Sequence, residues 1–521
     1  MEKAKHQSGF MPGDSTTNQL LSIYHTITSN LDSRKEVRFI FCDISKAFDR
    51  VWHKGLLHKL ECYGITGNLL NWFNSYLTNR KQRVITEGHF SSFKNVDAGV
   101  PQGSVLGPFL FLLYINDLPD ALTNQVKLFA DDTSLYAVID DNQAEIAGTL
   151  NTDLENISFW ANKWDVKFNP NKTKSVLFSR KKTQIIPQLF FLDTPIDNSH
   201  THKQLGLTFN SDGSWSEHIQ NIFEKSYKRL NILKSLKYKL NRETLITMYV
   251  AFIRPILEYS SVVWDNCNNT CKQLIESIQL EATRIITGLR KGTPHNILYR
   301  ELRLETLESR RKKHKLTLMY QILHNNAPQY LIDIVTQYLN DNEDTVHHLR
   351  RQRLFNQPLC RSENYYNSFS PTILREFNSI DTKILNSPSL GVFKKLITPV
   401  NLDQGLIRTT DILKNKGNRK ENIILCQLRN NASNLNFDRF NDHLIDSPLC
   451  RCNQGDETSY HYFFECCLYE QQRQELKQNI NNQHHLTTII LTHGNYLLSD
   501  EININILNAI QKYIKDSKRF A

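Results

Sequence analysis

The sequence predicts an α+β chain, and three features carry that prediction. Short apolar runs with strand alternation share residues 1–211 with stretches of helical period, a lysine- and arginine-rich helical region follows to about 340, and a cysteine/histidine cluster sits in the remainder. A chain of 521 residues is too long for one hydrophobic core, so two to four domains are expected. The boundaries fall near 212 and 340, giving regions 1–211, 212–340 and 341–521, with no internal repeat.

In the first region the strand-like runs are "VRFIFCDI", "QRVIT", "VKLFADD", "SLYAVI" and "KSVLFS", and helices are expected over 45–62, 67–78, 105–118 and 142–164. Alternation in "VRFIFCDIS" places Val37, Phe39, Phe41 and Asp43 on one face and Ile40, Cys42 and Ile44 on the other. In "VKLFADDTSLYAVI" two apolar runs meet at Asp131 and Asp132, which reads as a hairpin with acids at its tip. One aspartate in a turn is explained by a local hydrogen bond to backbone. Two acid-tipped strands with such apolar flanks are not, because an unpaired charge there is costly. If Asp43 and Asp131 lie side by side they must share cations, and oxygen-only ligation suits Mg²⁺ or Mn²⁺. Two such ions are the common device for in-line phosphoryl transfer.

Between these strands, "DAGVPQGSVLGPFLFLLYINDLP" is a turn-rich loop feeding an apolar helix, where backbone can approach a ligand around Gln102 and Gly103. The net charge of +10 favours a polyanionic partner, nucleic acid first among them. The start "MEKAKHQSGF" has no secretory pattern, and the apolar run "FLFLLYI" is far too short for a bilayer span, so a soluble intracellular protein without membrane attachment is expected. Ten scattered cysteines suit a reducing compartment.

"FCDISKAFDRVWHKGLLHKL", "GVPQGSVLGPFLFLLYINDLP" and "LFADDTSLYA", in this order and spacing, resemble the polymerase core of a non-LTR retrotransposon reverse transcriptase of the jockey-like group. "HQSGFMPGDSTTNQL" resembles the block before that core, and "MYVAFIRPILEYSSVVW" continues the likeness into a thumb. The resemblance implies a right-hand polymerase palm with partial fingers over 1–211, an α-helical thumb with a basic helical extension over 212–340, and a small Cys/His-rich tail beyond. It also implies nuclear and cytoplasmic location. Related chains carry more sequence before "HQSGF", so an N-terminal truncation is expected.

The family pattern assigns roles to matching positions. Asp43 and Asp131 would hold the metal pair, Asp132 would join them, and the Ile44 carbonyl would face a metal. Phe48 would block a ribose 2′-hydroxyl, so deoxynucleoside triphosphates would be the substrates; its alternative reading is a helix core residue. Asp49, six residues after Asp43, reads as a first-turn helix carboxylate that favours the dipole, and not as a metal ligand. Gln102 and Gly103 would pack on the incoming nucleotide and template base, and Leu205 and Gly206 would centre the hairpin that grips the primer end. Lys172 would protonate departing pyrophosphate, with Lys174 as its rival.

The helical region offers Lys225, Lys228, Arg229, Lys234, Lys237, Lys239 and Arg242 as one basic face, and Arg310, Arg311, Lys312, Lys313 and Lys315 as a denser one. After a palm, such faces suit the phosphates of an RNA template and a DNA primer or target. In the tail, "CRCNQGDETSYHYFFECC" offers Cys450, Cys452, His461 and either Cys466 or Cys467 as ligands for a structural Zn²⁺, in a segment expected to have little apolar surface of its own. The resulting expectation is an RNA-directed DNA polymerase using two metals; the alternative is a catalytically inactive nucleic-acid-binding remnant of one.

Overall fold

The structure is a computed structural model that describes residues 6–182, 186–339, 354–398, 409–480 and 486–520. The expected boundary at 340 lies outside those residues. The chain divides into two compact units that interleave in sequence: one of residues 1–218, 260–267 and 314–393, the other of 219–259, 268–313 and 394–521.

The first unit is built on a five-stranded sheet. Its strands are β1 (Glu36–Cys42), β2 (Gln125–Phe129), β3 (Asp132–Ile139), β4 (Lys174–Phe178) and β5 (Asp197–Asn198), in the order β5-β4-β1-β3-β2. β1 lies antiparallel between β3 and β4, every one of its residues is buried, and β5 joins β4 in parallel. A fully buried central strand accounts for the unbroken apolar run in "FIFC". Alternation sorts the two faces as expected. Ile40, Cys42 and Ile44 join a core with Leu135 of β3, Leu110 and Phe111 of α4 (Leu106–Ile115) and Leu150 and Trp160 of α5 (Gln143–Lys163), while α1 (Thr16–Asp32) buries Leu20, Ile23, Tyr24 and Ile27 elsewhere. On the other face Phe39 stacks on Tyr136 with ring centroids 4.7 Å apart and lies 5.6 Å from Phe41.

Two expectations for this unit are corrected. The helix expected over 45–62 forms only at α2 (His53–Cys62), preceded by a 3₁₀ turn at Ala47–Asp49, with Lys46 at φ 51°. The backbone there is tied elsewhere: Ser45 N donates to the Lys167 carbonyl at 2.7 Å, while the carbonyls of Phe48 and Val51 accept from Val100 N and Gly99 N at 2.8 Å. These long-range bonds replace the i−4 ladder. The run "QRVIT" is not one strand either. Arg80–Gln82 pairs with Lys94–Val96, and Ile85–Thr86 with His89–Phe90, beyond α3 (Gly67–Leu77). A separate two-stranded hairpin, β6 (Thr201–Gln204) and β7 (Leu207–Asn210), follows the sheet.

The second unit is mainly helical over 219–259 and 268–313 as expected, with a π-helical turn at Tyr249–Ile253 whose Phe252 carbonyl accepts from Arg229. Its C-terminal part departs from the weakly periodic, core-poor tail that was expected. Arg419–Arg429 is a helix capped by the Asn418 side chain, and it buries Ile423, Leu425, Cys426 and Leu428. Leu425, Leu428, Tyr462, Phe463, Leu507, Ile510 and Tyr513 belong to one apolar core. Asn418 caps the Arg419–Arg429 helix, whereas Asn422 and Asn503 are buried and hydrogen-bonded to backbone.

Candidate active site

The sheet register assembles the site. Cys42 pairs with Thr133 and Phe129 with Asp132, so Asp43 leaves β1 beside the hairpin turn that carries Asp131 and Asp132. Phe41 pairs with Lys174 in the antiparallel β1–β4 ladder, and two more steps set Lys172 across from Asp43. The Lys172 Nζ stands 3.6 Å from Asp43 Oδ2, both side chains reaching solvent. Lys174 instead donates to Asp197 Oδ2 at 2.6 Å on the next strand pair, away from the acids.

The carboxylates feel one another. Burial and the Asp43 charge raise the Asp131 carboxyl above the usual range, against a lowering backbone hydrogen bond. Asp132 reaches the surface, yet surrounding protein desolvates it, and with the charges of Asp131 and Asp43 this pushes its pKa up to about 6. The three acids offer carboxylate oxygen, and the solvent-reaching Lys172 lies beside Asp43. That donor set fits a hard divalent cation, which would relieve the mutual repulsion. Asp43, Asp131 and Asp132 would be the candidate ligands of such a Mg²⁺ or Mn²⁺ ion. Ile44 bridges Phe168 through the Asp43 carbonyl and the Ser45 amide, bonded to Asn169 N at 2.8 Å and Lys167 O at 2.7 Å, which leaves its own carbonyl outside that bridge.

Phe48 is half-buried and stacks on Phe111 at 4.5 Å, with Phe10 edge-on at 6.2 Å. Gln102 and Gly103 are exposed on the loop before α4, Gly103 at φ 78° with open space where a Cβ would stand. The Gln102 Nε2 donates to Asp49 Oδ1 at 2.8 Å. Asp49 thus lies in a 3₁₀ turn and orients an amide, which corrects its reading as a helix-dipole carboxylate; only the through-space neighbour, 53 residues away, could have revealed this. The start of α4 leaves Val105 93% and Phe109 44% exposed. Leu205 and Gly206 form the turn between β6 and β7, at φ 44° and 90°. Their hairpin is laid on the acidic face of the sheet by His202, whose ring stacks on Phe41 at 3.9 Å.

The basic faces fare unequally. Lys225, Lys228, Arg229, Lys234 and Lys239 are exposed and Lys237 is half-buried, but Arg242 is buried against Glu301 at 2.9 Å. The denser face over 310–315 does not exist as expected. Arg310 pairs with Glu258, Arg311 is 1% exposed, Lys313 meets Glu305 at 2.5 Å, and Lys315 meets Asp265 at 2.9 Å, which leaves Lys312 at the surface.

In the tail, the ligand atoms of Cys450, Cys452, His461 and Cys466 all lie within 4.8 Å of one another. The Cys450 and Cys466 sulfurs are 3.6 Å apart, and Cys452 Sγ is 3.2 Å from His461 Nε2. Tetrahedral zinc with Zn–S bonds of ~2.3 Å separates its sulfur ligands by ~3.8 Å, close to the Cys450–Cys466 spacing. His461 turns its other nitrogen to Glu465 Oε2 at 3.3 Å, the outer-sphere partner of a ligating imidazole. Cys466 is buried in the cluster and Cys467 is exposed outside it. Burial opposes ionisation of Cys452, but hydrogen bonds from Gln454 N, Cys450, His461 and Cys466 outweigh it and bring the thiol down to about 7. Among the described residues no two cysteines are joined in a disulfide.

Residues 1–209 match the family model for reverse transcriptase (RNA-dependent DNA polymerase), and the chain carries a reverse transcriptase domain. It is 30% identical over 321 residues to the probable RNA-directed DNA polymerase from transposon X-element of Drosophila melanogaster, a match covering 60% of this chain and 35% of that protein. It is also 30% identical over 296 residues to the RNA-directed DNA polymerase from mobile element jockey of Drosophila funebris, covering 54% of this chain and 32% of that one. The expected kinship with jockey-like non-LTR elements is borne out. The chain spans about a third of the length of these curated relatives. Among solved structures, apo telomerase from Candida tropicalis matches with a TM-score of 0.33 at 12% identity, over 55% of this chain and 47% of that one, too distant to argue from. No helix among the described residues is long and apolar enough to cross a membrane.

Proposed function

We propose that this chain is an RNA-directed DNA polymerase of a non-LTR retrotransposon, extending a DNA primer on an RNA template with deoxynucleoside triphosphates, inside the cell. The observation that carries the reading is the register that converges Asp43, Asp131, Asp132 and Lys172 at one end of the sheet. Residues 1–211 are assigned to palm and partial fingers, 212–340 to thumb and extension, and 341–521 to the C-terminal region.

Divalent cations, when bound, lower the pKa of the primer 3′-hydroxyl and offset triphosphate charge. Asp43 and Asp131 would hold them, with Asp132 and the Ile44 carbonyl beside them. Lys172, close to Asp43 yet solvated, is positioned to give a proton to leaving pyrophosphate. The Phe48 ring, fixed by its stack on Phe111, would meet a ribose 2′-hydroxyl and exclude ribonucleotides. Gln102, Gly103 and the exposed Val105 would receive the nucleotide and template base. Leu205 and Gly206 would bear on the primer end, and the exposed lysines of α6 (Ser216–Ser235) on phosphates. Cys450, Cys452, His461 and Cys466 would hold one structural Zn²⁺.

Extension of a DNA primer on homopolymeric RNA, with dNTPs against NTPs and wild type against Phe48→Val, tests this reading. Incorporation of dNTPs by wild type, with NTPs gaining in the variant, is expected. RNA binding without any extension would favour the inactive remnant instead.

A further inference from the structure

The turn that carries Asp131 is not self-sufficient. In the two-residue connection between Phe129 and Asp132, Ala130 sits at φ 53°, a left-handed backbone that hairpin turns ordinarily give to glycine or asparagine. Its conformation has to be imposed from outside. The imposing group is Gln7, 7% exposed, whose Oε1 accepts from Ala130 N at 2.9 Å and from Gly9 N at 2.7 Å. Both partners are N–H donors, so the oxygen of this amide, and not its nitrogen, faces the turn.

The approach is close and built from both sides. Gln7 pairs in parallel with Leu128, through Ser8 N to the Leu128 carbonyl at 2.9 Å and Leu128 N to the His6 carbonyl at 2.8 Å. The same Leu128 carbonyl also accepts from Gln19 Nε2 at 2.9 Å. A Cβ on Gly9 would stand 2.3 Å from Ala130 N, so only glycine lets the segment lie against the turn. Residues 6–9 thus act as a short extra strand whose single side-chain acceptor reaches the residue before Asp131.

We propose that Gln7 is a positioning residue of the acidic turn. By accepting the Ala130 amide it fixes the backbone that aims the Asp131 carboxylate, and so sets divalent-cation affinity. The inference rests on the reading of Asp43 and Asp131 as the cation site.

The test is Mn²⁺ binding to the full chain, followed by electron paramagnetic resonance, with thermal unfolding by circular dichroism alongside. Gln7→Met keeps the volume and removes the acceptor, Gln7→Glu keeps the acceptor, and Asp131→Asn reports on the cation site itself. Gln7→Met is expected to weaken Mn²⁺ binding about tenfold, as loss of outer-shell partners commonly does, and Gln7→Glu to stay near wild type. If Asp131→Asn loses binding while folded Gln7→Met keeps it, the role of Gln7 is overturned and the cation site stands. A lower unfolding midpoint with unchanged affinity would likewise reduce Gln7 to a structural part. If Asp131→Asn binds Mn²⁺ as wild type does, the cation site itself is wrong and this inference falls with it. Should Gln7→Met fail to fold, Gln7→Asn, too short to reach Ala130, is read by the same criteria.

Discussion

The side-chain amide of Gln102 donates to the carboxylate of Asp49 across 2.8 Å, joining the loop before α4 to the 3₁₀ turn after β1. Phe48 lies in that same turn, so the amide and the ring read as nucleotide contacts are held by one local structure.

Asp49→Ala is expected to loosen Gln102 without disturbing the acids. The bond is exposed, and such bonds are worth about 0.5–1.5 kcal/mol. The KM for the incoming nucleotide should therefore rise roughly 2- to 10-fold in steady-state extension assays, with kcat changed less. An unchanged KM would leave the contact without a role in nucleotide binding.

Glu301 is buried between Arg242, at 2.9 Å, and Arg429, whose Nε is 3.1 Å away. Burial alone would raise its carboxyl pKa, but the two guanidinium groups hold it well below the usual range. Glu301→Gln leaves two buried cations without a counter-charge, and breaking such an arrangement costs about 3–5 kcal/mol. Denaturant unfolding should show that loss in the second unit. A change below about 1 kcal/mol would mean that the site relaxes or hydrates freely.

His202 supplies a pH dependence. Burial, with the Lys174 charge and against a hydrogen bond to Gln204, brings its pKa down to about 4, below the ordinary value of about 6.5 for an unfolded chain. As pH falls from 6.5 to 4 the unfolded chain takes the proton first, so this contribution is complete above 6.5 and is lost on acidification. His202→Phe preserves a ring on Phe41 and removes the titration. Relative to wild type it should gain on the order of 1 kcal/mol at pH 5 compared with pH 7. Parallel pH profiles would show that the ring does not remain neutral in the fold.

The tail should bind zinc. Purified full chain is expected to carry the metal at one per molecule by mass spectrometry, and the Cys450→Ser, Cys452→Ser double variant to lose it. Equal metal in both would remove the ligand assignment. Because the surrounding core includes Tyr462, Phe463 and Leu507, metal loss should loosen the 450–467 segment in hydrogen exchange without unfolding the whole tail.

Much of the site was legible because a two-residue period and an apolar flank constrain a strand strongly. Asp43 and the Asp131–Asp132 turn follow from alternation in two short runs, and the hairpin around Leu205 and Gly206 follows its family resemblance. The rest depended on partners distant in sequence. Nothing local tells that the segment after Asp43 bonds to residues 99, 100 and 167 and so cannot start a helix. Charge density over 310–315 suggested an open basic face, yet Glu258, Glu305 and Asp265 turn it inward. The tail's core was hidden because its apolar residues come from segments far apart in sequence, from Leu413 to Ile514.

The carboxylates at the end of β1 and at the β2–β3 turn are the proposed cation ligands. Primer extension by the full chain with Mg²⁺ or Mn²⁺, comparing wild type with Asp43→Asn and Asp131→Asn, measures this directly. Each variant should lose extension while retaining its fold and nearly all of its RNA affinity, because the change removes a cation ligand and no phosphate contact. Extension at the wild-type rate by either variant would contradict the account.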